Sequence, residues 1–406
     1  MRVFFVNRYF FPDNSATSQM VSQLAFRLAA AGYDLEIVTS RQRYEDAGAG
    51  LPAQETRDGL AITRIWTTRF GRGRLLGRAL DYLTFYLSAA WALVRRVSAR
   101  DIVVAKTDPP MLSLIGAVVC RLRGGVLVNW CQDIFPEVAA GLGIAGANGA
   151  LATRLRRLRN RSLGAAFTNV VLGRRMKDHL LAEGIPDCRI TVIHNWADGR
   201  QIVPVAPADN RLRQDWGLAD AFVVGYSGNL GRAHDIETIL DAATALRDRD
   251  DVVFLFIGGG AKTDQLAQMA RERGLTSLRF RPYQDAAQIR ESLSVPDLHL
   301  VTLLPAMEGL IVPSKLYGVA AAGRPCLFIG DTDGEVARLL RDHDCGYAVP
   351  VGDSAGAAEV VATLMADPAL CRRLGANARA AFEAHYDLPI AFAAWCRLLD
   401  GAGARR

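Results

Sequence analysis

The sequence predicts an α/β protein built as two doubly wound, Rossmann-like halves facing a central cleft, and three observations lead there. At 406 residues the chain exceeds the size at which one hydrophobic core usually stops growing, so two domains are expected. Short apolar runs alternate with helical stretches along nearly the whole length, the pattern of parallel sheets covered by helices. That alternation breaks once, at "ADGRQIVPVAPADNR" (197–211), where helical periodicity gives way to proline, and then resumes.

The first half opens on the strand "RVFFV" (2–6), a polar loop "NRYFFPDNSATS" (7–18), an amphipathic helix ending near Ala31-Gly32, and the strand "DLEIVTS" (34–40). Strand, loop, helix, strand is the start of a parallel unit. "DIVVAK", "GVLVNWC", "NVVLG" and "RITVIHN" continue the series. After the break come "FVVGYSGNLG", "VVFLFIGGG", "LRFRPY", "LHLVTLL", "RPCLFIG" and "YAVPV", again with helices between them. The expected domains are 1–197 and 198–385. A last helix, about 386–406 and containing "PIAFAAWCRLLD", is expected to cross back to the first.

Composition narrows the class. Half the residues are apolar and 22% are charged, as in a packed globular protein. Seven cysteines without CxxC spacing argue against a disulfide framework and against a structural zinc site. The apolar part of "MRVFFVNRYF" is too short for a signal peptide and is interrupted by Arg8, so a cytoplasmic location is expected. The net charge of +6 is unevenly spread. Arg69, Arg72, Arg74 and Arg78 precede the uncharged run Leu83–Val94, and Arg154, Arg156, Arg157, Arg159 and Arg161 cluster later. The run is short of the ~20 residues that span a bilayer. With Tyr82, Tyr86 and Trp91 it is either a helix lying in a membrane interface or an ordinary core helix with a basic end. No nucleic-acid-binding pattern accompanies the arginines.

Ligands of open parallel sheets sit outside the carboxyl ends of strands, and three loops of the second half stand there. "GYSGNLGRAHD" (225–235) places Gly228 and Gly231 in a tight turn, with Arg232 and His234 as donors beside it. The glycines are either plain turn residues or a backbone that an anion can approach closely. In "MEGLIVPSKLYGVAAAGRPCLFIG" (307–330), Lys315 follows Pro313-Ser314 at a helix start, where the macrodipole disfavours a cation. A diphosphate held by Lys315, Ser314 and nearby amides would reverse that sign. The alternative is a lysine whose stem packs while its head reaches water. Glu308, beside Gly309, is placed to accept bonds from sugar or ribose hydroxyls. Glu335 in "GDTDGEVARLL" is either a helix-dipole residue or a second hydroxyl acceptor.

In the first half, "NWCQDIFPEVAAGLG" sets Asp133 and Glu137 four apart around Pro136. Asp133 is either a helix cap or a carboxylate turned to a ligand. Asp13, Asn14, Ser15 and Thr17, with Lys106 and Asp108 of "KTDPP", suit a hydroxylated acceptor.

Together these stretches resemble family 4 glycosyltransferases of the GT-B fold, above all the branch building colanic acid, O-antigen and other bacterial surface polysaccharides. "FFPDNSAT", "QDIFPEVAAGLG", "VIHNWAD", "YSGNLGRAHDIETIL", "FIGGG", "VPSKLYGVAAAGRP" and "GEVARLL" carry the likeness, in the family's order. The resemblance implies donor binding in the second domain, acceptor binding in the first, transfer with retention and no obligatory metal. It makes Lys315 and Arg232 the leaving-group contacts, and it makes Asp133 the acceptor-side orienter or base. Two departures stand out. The glutamates common ahead of "AGRP" are replaced by Leu310 and Gly318, and the basic pair after the glycine turn by Asn229 and His234.

The expectation is therefore transfer of a hexose-type sugar from a UDP- or GDP-sugar to a polyprenyl-diphosphate-linked saccharide at the membrane surface. A GT-B nucleotide-sugar 2-epimerase and a non-catalytic two-lobed binding protein are the alternatives. A glycosidase using Asp133 and Glu137 would leave the phosphate-binding features without a purpose.

Overall fold

The computed structural model describes the chain apart from Asn14, Glu45, Ala47, Arg72, Gly73, Arg74, Ala145, Asn148 and residues 405–406. Asn14, Arg72 and Arg74 of the sequence reading thus lie outside the described residues. Two compact units emerge, one from Met1–His194 with Ala391–Arg406 and one from Asn195–Ile390.

The first unit holds an eight-stranded sheet of β1 (Val3–Val6), β2 (Leu35–Ser40), β3 (Gln54–Arg57), β4 (Leu60–Ile65), β5 (Ile102–Lys106), β6 (Val126–Trp130), β7 (Thr168–Val171) and β8 (Ile190–Val192). Their order is β3-β4-β2-β1-β5-β6-β7-β8. All neighbours run parallel except β3 and β4. Helices on both faces explain why β1, β2 and β5 are buried at every residue and read as unbroken apolar runs. The β3–β4 hairpin is absent from the sequence reading. Its signal was the Asp58-Gly59 turn, where both residues take positive φ (48° and 77°). β3 itself is largely exposed and polar, so hydrophobic patterning could not find it.

From Ala391 the chain packs with the first unit. Trp395, fully buried, sets its ring 6.2 Å from Phe5 and 4.8 Å from Trp130. Burying an aromatic side chain this way contributes about 1.5–3 kcal/mol.

The second unit holds β9 (Phe222–Asn229), β10 (Val252–Gly259), β11 (Leu278–Arg281), β12 (Leu298–Thr302), β13 (Cys326–Ile329) and β14 (Gly346–Val349), in the order β11-β10-β9-β12-β13-β14. The proline-rich stretch expected to be a linker is strapped onto this unit. Arg324 donates to Val205 O (2.8 Å), Arg379 to Ile202 O (2.9 Å), and the Gly199 amide to Asp387 Oδ1 (3.0 Å). Carbonyls left free by the lack of regular structure are thus satisfied by arginines from elsewhere.

The order of the parallel strands reverses between β1 and β5 in the first sheet and between β9 and β12 in the second. The crevice outside the carboxyl ends at such a reversal is where open α/β sheets bind ligands.

Candidate active site

In the second unit, Gly228 of β9 pairs in register with Gly258 of β10. Gly258 has φ +129°, and a Cβ there would lie 2.5 Å from the Gly228 carbonyl oxygen. Only glycine lets the two strand ends close up, so Gly258→Ala should lower the unfolding free energy by roughly 1–3 kcal/mol in a urea titration. An unchanged midpoint would contradict that packing.

Lys315 begins the helix Lys315–Ala321. Its stem passes the end of β9, with Cε 3.6 Å from where a Gly228 Cβ would stand. Its Nζ donates to the Tyr226 hydroxyl at 2.7 Å and lies 3.2 Å from His234 Nε2. The Tyr226 ring centroid is 4.6 Å away. His234 Nδ1 sits 2.6 Å from the Thr302 carbonyl at the end of β12, and Lys262 Nζ donates to the His234 carbonyl at 2.5 Å. Burial lowers the Lys315 ammonium to about 7. Burial, then the nearby charge of Lys315, lowers His234 to about 3 although its bond to Thr302 works the other way.

Arg232 is exposed one turn further on. Among the described residues, none of Lys315, Lys262 and Arg232 forms an ion pair. Three cations therefore gather at the carboxyl end of β9 with no carboxylate bonded to them, which is a site made for an anion. The helix at Lys315 has only seven residues, so the positive character of this end of β9 comes from side-chain cations more than from a macrodipole.

Around this cluster lie the other residues singled out in the sequence. Asn229 and Ser314 are exposed, and Gly231 turns the chain by accepting from the His234 amide at 3.2 Å. Gly309 takes φ +74°. Glu308 reaches across to the helix Glu335–Asp342, where its Oε1 accepts from the Glu335 amide at 2.9 Å. The helix caps itself with Gly334, which has no side chain, and a Cβ there would meet Glu308 Oε2 at 2.4 Å. Glu308 is thus a helix cap supplied from a distance, with one oxygen committed to it. The ring of Tyr283, 57% exposed, lies against Gly258 and Gly259.

In the first unit, Lys106 ends β5 and is 1% exposed. Its Nζ donates to Thr17 O at 2.8 Å and sits 4.1 Å from the Trp130 ring centroid. Thr17 Oγ1 lies 3.5 Å from Asp108 Oδ2, and the Asp133 amide donates to Thr107 Oγ1 at 3.3 Å. Burial lowers Lys106 to about 7 against the pull of Asp108 and Asp133. Burial and then Asp108 raise Asp133 to about 6, with Lys106 opposing. Asp133 does not cap the following helix, Glu137–Gly141, whose N-cap is Pro136.

Glu137, read with Asp133 as one face, is taken up elsewhere. Arg159 grips it with two bonds of 2.9 and 2.8 Å and also reaches Glu183 at 3.3 Å. Glu137, His179 and Glu183 have ligand atoms within 4.8 Å of one another. Arg159 and Arg156 already neutralise those carboxylates, so the donor set does not suit a cation.

The comparisons with known proteins agree with this geometry. Residues 209–381 match a family described as "Glycosyl transferases group 1", and residues 15–196 match "Glycosyl transferase 4-like domain". WbjE of Pseudomonas aeruginosa, assigned as a glycosyltransferase, is 30% identical over 72% of this chain and 73% of its own length. WcaI of Escherichia coli, assigned as a colanic acid biosynthesis glycosyl transferase, is 25% identical over 84% of this chain and 86% of its own. Among solved structures, sucrose-phosphate synthase of Thermosynechococcus elongatus superposes with a TM-score of 0.80 at 16% identity, covering 98% of both chains. Anabaena HepE, solved with UDP-glucose, gives 0.74 at 16% identity, covering 99% of this chain and 100% of its own. The chain belongs to the group 1 glycosyltransferases and has the GT-B fold.

Sequence reasoning missed Tyr226 and Lys262. Tyr226 stands two residues before Gly228, so strand alternation places it on the face of the turn that matters. Lys262 closes the "GGGAK" loop after β10, next to β9 in the sheet, a proximity that requires knowing the strand order.

Proposed function

We propose that this enzyme transfers a hexose-type sugar from a UDP- or GDP-sugar to a polyprenyl-diphosphate-linked saccharide during bacterial exopolysaccharide, capsule or O-antigen synthesis, with retention and without a required metal. The observation that carries the reading is Lys315, a shielded ammonium whose hydrogen-bond partners are a phenol and a neutral imidazole. A half-buried cation with no counter-ion costs free energy that an arriving anion offsets. A nucleoside diphosphate supplies one, and the solved HepE complex with UDP-glucose supports that class of donor. As the bond from the anomeric carbon to the diphosphate oxygen breaks, Lys315 and Arg232 stabilise the charge left on the diphosphate. In the first unit, Asp133 orients the acceptor hydroxyl and takes its proton as the new glycosidic bond forms. Glu308 and Glu335 lie on the sugar and ribose side, and the Tyr283 ring offers a face to the base.

The named WbjE and WcaI relatives support a role in surface polysaccharide synthesis. A thermal-shift screen against UDP-, GDP- and dTDP-sugars, followed by transfer to a polyprenyl-diphosphate saccharide, tests the reading. A cognate donor stabilises the fold by mass action. Conversion of the nucleotide sugar with no acceptor present would favour the epimerase instead.

The acceptor's lipid places the enzyme at the inner face of the plasma membrane. No described helix is long and apolar enough to cross a bilayer. The helix Leu75–Arg96 nonetheless exposes Leu76, Leu80, Leu83, Leu87 and Trp91 at 46–82% along one face. Tyr82 and Tyr86 do not join them: Tyr82 stacks with Arg8 and Arg78, and Tyr86 bonds to Pro110 O. The helix Leu112–Arg123 packs beside it and against Ala150–Ala165, adding exposed Leu122, Leu151 and Leu158. These three helices carry many arginines and one acidic residue, Asp81, which is buried. Arg96, Arg156 and Arg159 are paired with glutamates of neighbouring elements, yet the helices themselves are rich in arginine, and an apolar stripe among such residues suits an anionic lipid surface. Leu83→Ser with Leu87→Ser and Trp91→Ser should abolish co-sedimentation with vesicles rich in phosphatidylglycerol. Unchanged sedimentation would remove the membrane reading.

A further inference from the structure

We propose that Tyr226 and His234 are positioning residues for Lys315, a pair of neutral acceptors that fix its ammonium at the end of β9 so that it meets a diphosphate. This rests on the donor reading above and adds the two side chains through which Lys315 works.

Hydrogen-bond chemistry assigns each proton. A carbonyl oxygen only accepts, so His234 Nδ1, 2.6 Å from Thr302 O, must carry the ring proton. Nε2 then presents a lone pair, and Lys315 Nζ, 3.2 Å away, donates to it. Tyr226 has one hydroxyl proton, which it gives to the Asn229 carbonyl at 2.9 Å. Its oxygen is left to accept from Lys315 at 2.7 Å. Two of the three ammonium protons are thereby directed, and the third is the one a ligand can take. His234 therefore acts through Lys315 and not as a donor to the nucleotide, which is a different role from the one its place in the sequence suggested. Burial first, then the charges of Lys315 and Lys262, discourage protonation of the ring and keep it an acceptor.

Calorimetric titration with inorganic pyrophosphate tests this in the unmodified chain, Tyr226→Phe, Lys315→Met and the double variant. Tyr226→Phe should weaken binding about tenfold. It should weaken it no further once Lys315 is methionine. Equal weakening in both backgrounds, or none with Lys315 present, overturns the inference while leaving the donor reading intact. If the unmodified chain binds no pyrophosphate, the donor reading falls and this inference with it. Where the methionine variants bind too weakly to compare, or Tyr226→Phe does not fold, nitrogen-15 imidazole spectra of the unmodified protein decide. The His234 resonances, identified by their loss in His234→Gln, should show a proton on Nδ1 and no titration between about pH 5 and 8. A ring protonated on Nε2, or one that titrates in that range, overturns it.

Discussion

Lys315→Met should lower kcat/KM for sugar transfer by about 10²–10³, the usual effect of removing one donor from a site that stabilises developing negative charge. The fold should survive, because the variant removes a charge whose burial is costly and keeps an apolar stem against Gly228. Thermal unfolding of the variant should therefore match or exceed that of the parent without donor. It should also lose most of the stabilisation that donor brings. Full activity in the variant would mean that the diphosphate is neutralised elsewhere.

The same residue sets a pH dependence whose sign can be worked out. With the free enzyme's Lys315 at about 7, its charge is present below that pH and lost above it. A bound diphosphate favours the charged form and raises the value, so donor binding near neutrality takes up a proton. Donor affinity should be constant below pH 7 and fall as pH rises, by up to about tenfold per unit. Lys315→Arg, whose guanidinium stays charged, should flatten that fall. An alkaline fall that persists unchanged in the arginine variant would place its cause elsewhere, Lys106 being the other lysine lowered to about 7.

Asp133→Asn carries the second large effect, a loss of about 10²–10⁴ in kcat with little change in donor KM, as expected for a lost proton acceptor. Asp133 must be ionised to accept a proton, and burial with Asp108 nearby raises it to about 6. Activity should therefore fall as pH drops through about 6. Lys106→Met removes the charge that restrains this rise and should move the acid limb to higher pH. Asp108 raises the Asp133 value and Lys106 lowers it, so the position of the limb reports on both neighbours. An acid limb that stays put in Lys106→Met would separate Lys106 from the acceptor chemistry.

Much of this arrangement was legible in the sequence because parallel strands buried on both faces read as continuous apolar runs. β10, β12 and β13 of the second unit showed themselves that way, whereas the edge strands β11 (LRFR) and β14 are only partly buried and were marked by their place in the alternation with helices. β3 did not, since an exposed edge strand of polar residues has no apolar signature, and only Asp58-Gly59 marked its hairpin. At the site, Lys315 was visible through its odd position at a helix start. Glu308 shows the limit of such reading: its distance in sequence from Glu335 concealed that the two meet, so its capping of that helix went unread. His234 was found for its chemistry, but its role turns on which nitrogen faces Thr302, and no sequence states that. Glu137 looked like the partner of Asp133 because spacing was all there was to see, whereas Arg159, twenty-two residues on, claims it.

One crystal structure tests the central claim, that of this chain bound to whichever nucleoside diphosphate gives the largest thermal shift. The account predicts a β-phosphate oxygen within about 3.2 Å of Lys315 Nζ, with Tyr226 and His234 still bonded to the ammonium. A fully ordered diphosphate seated beyond hydrogen-bond reach of that nitrogen would contradict it.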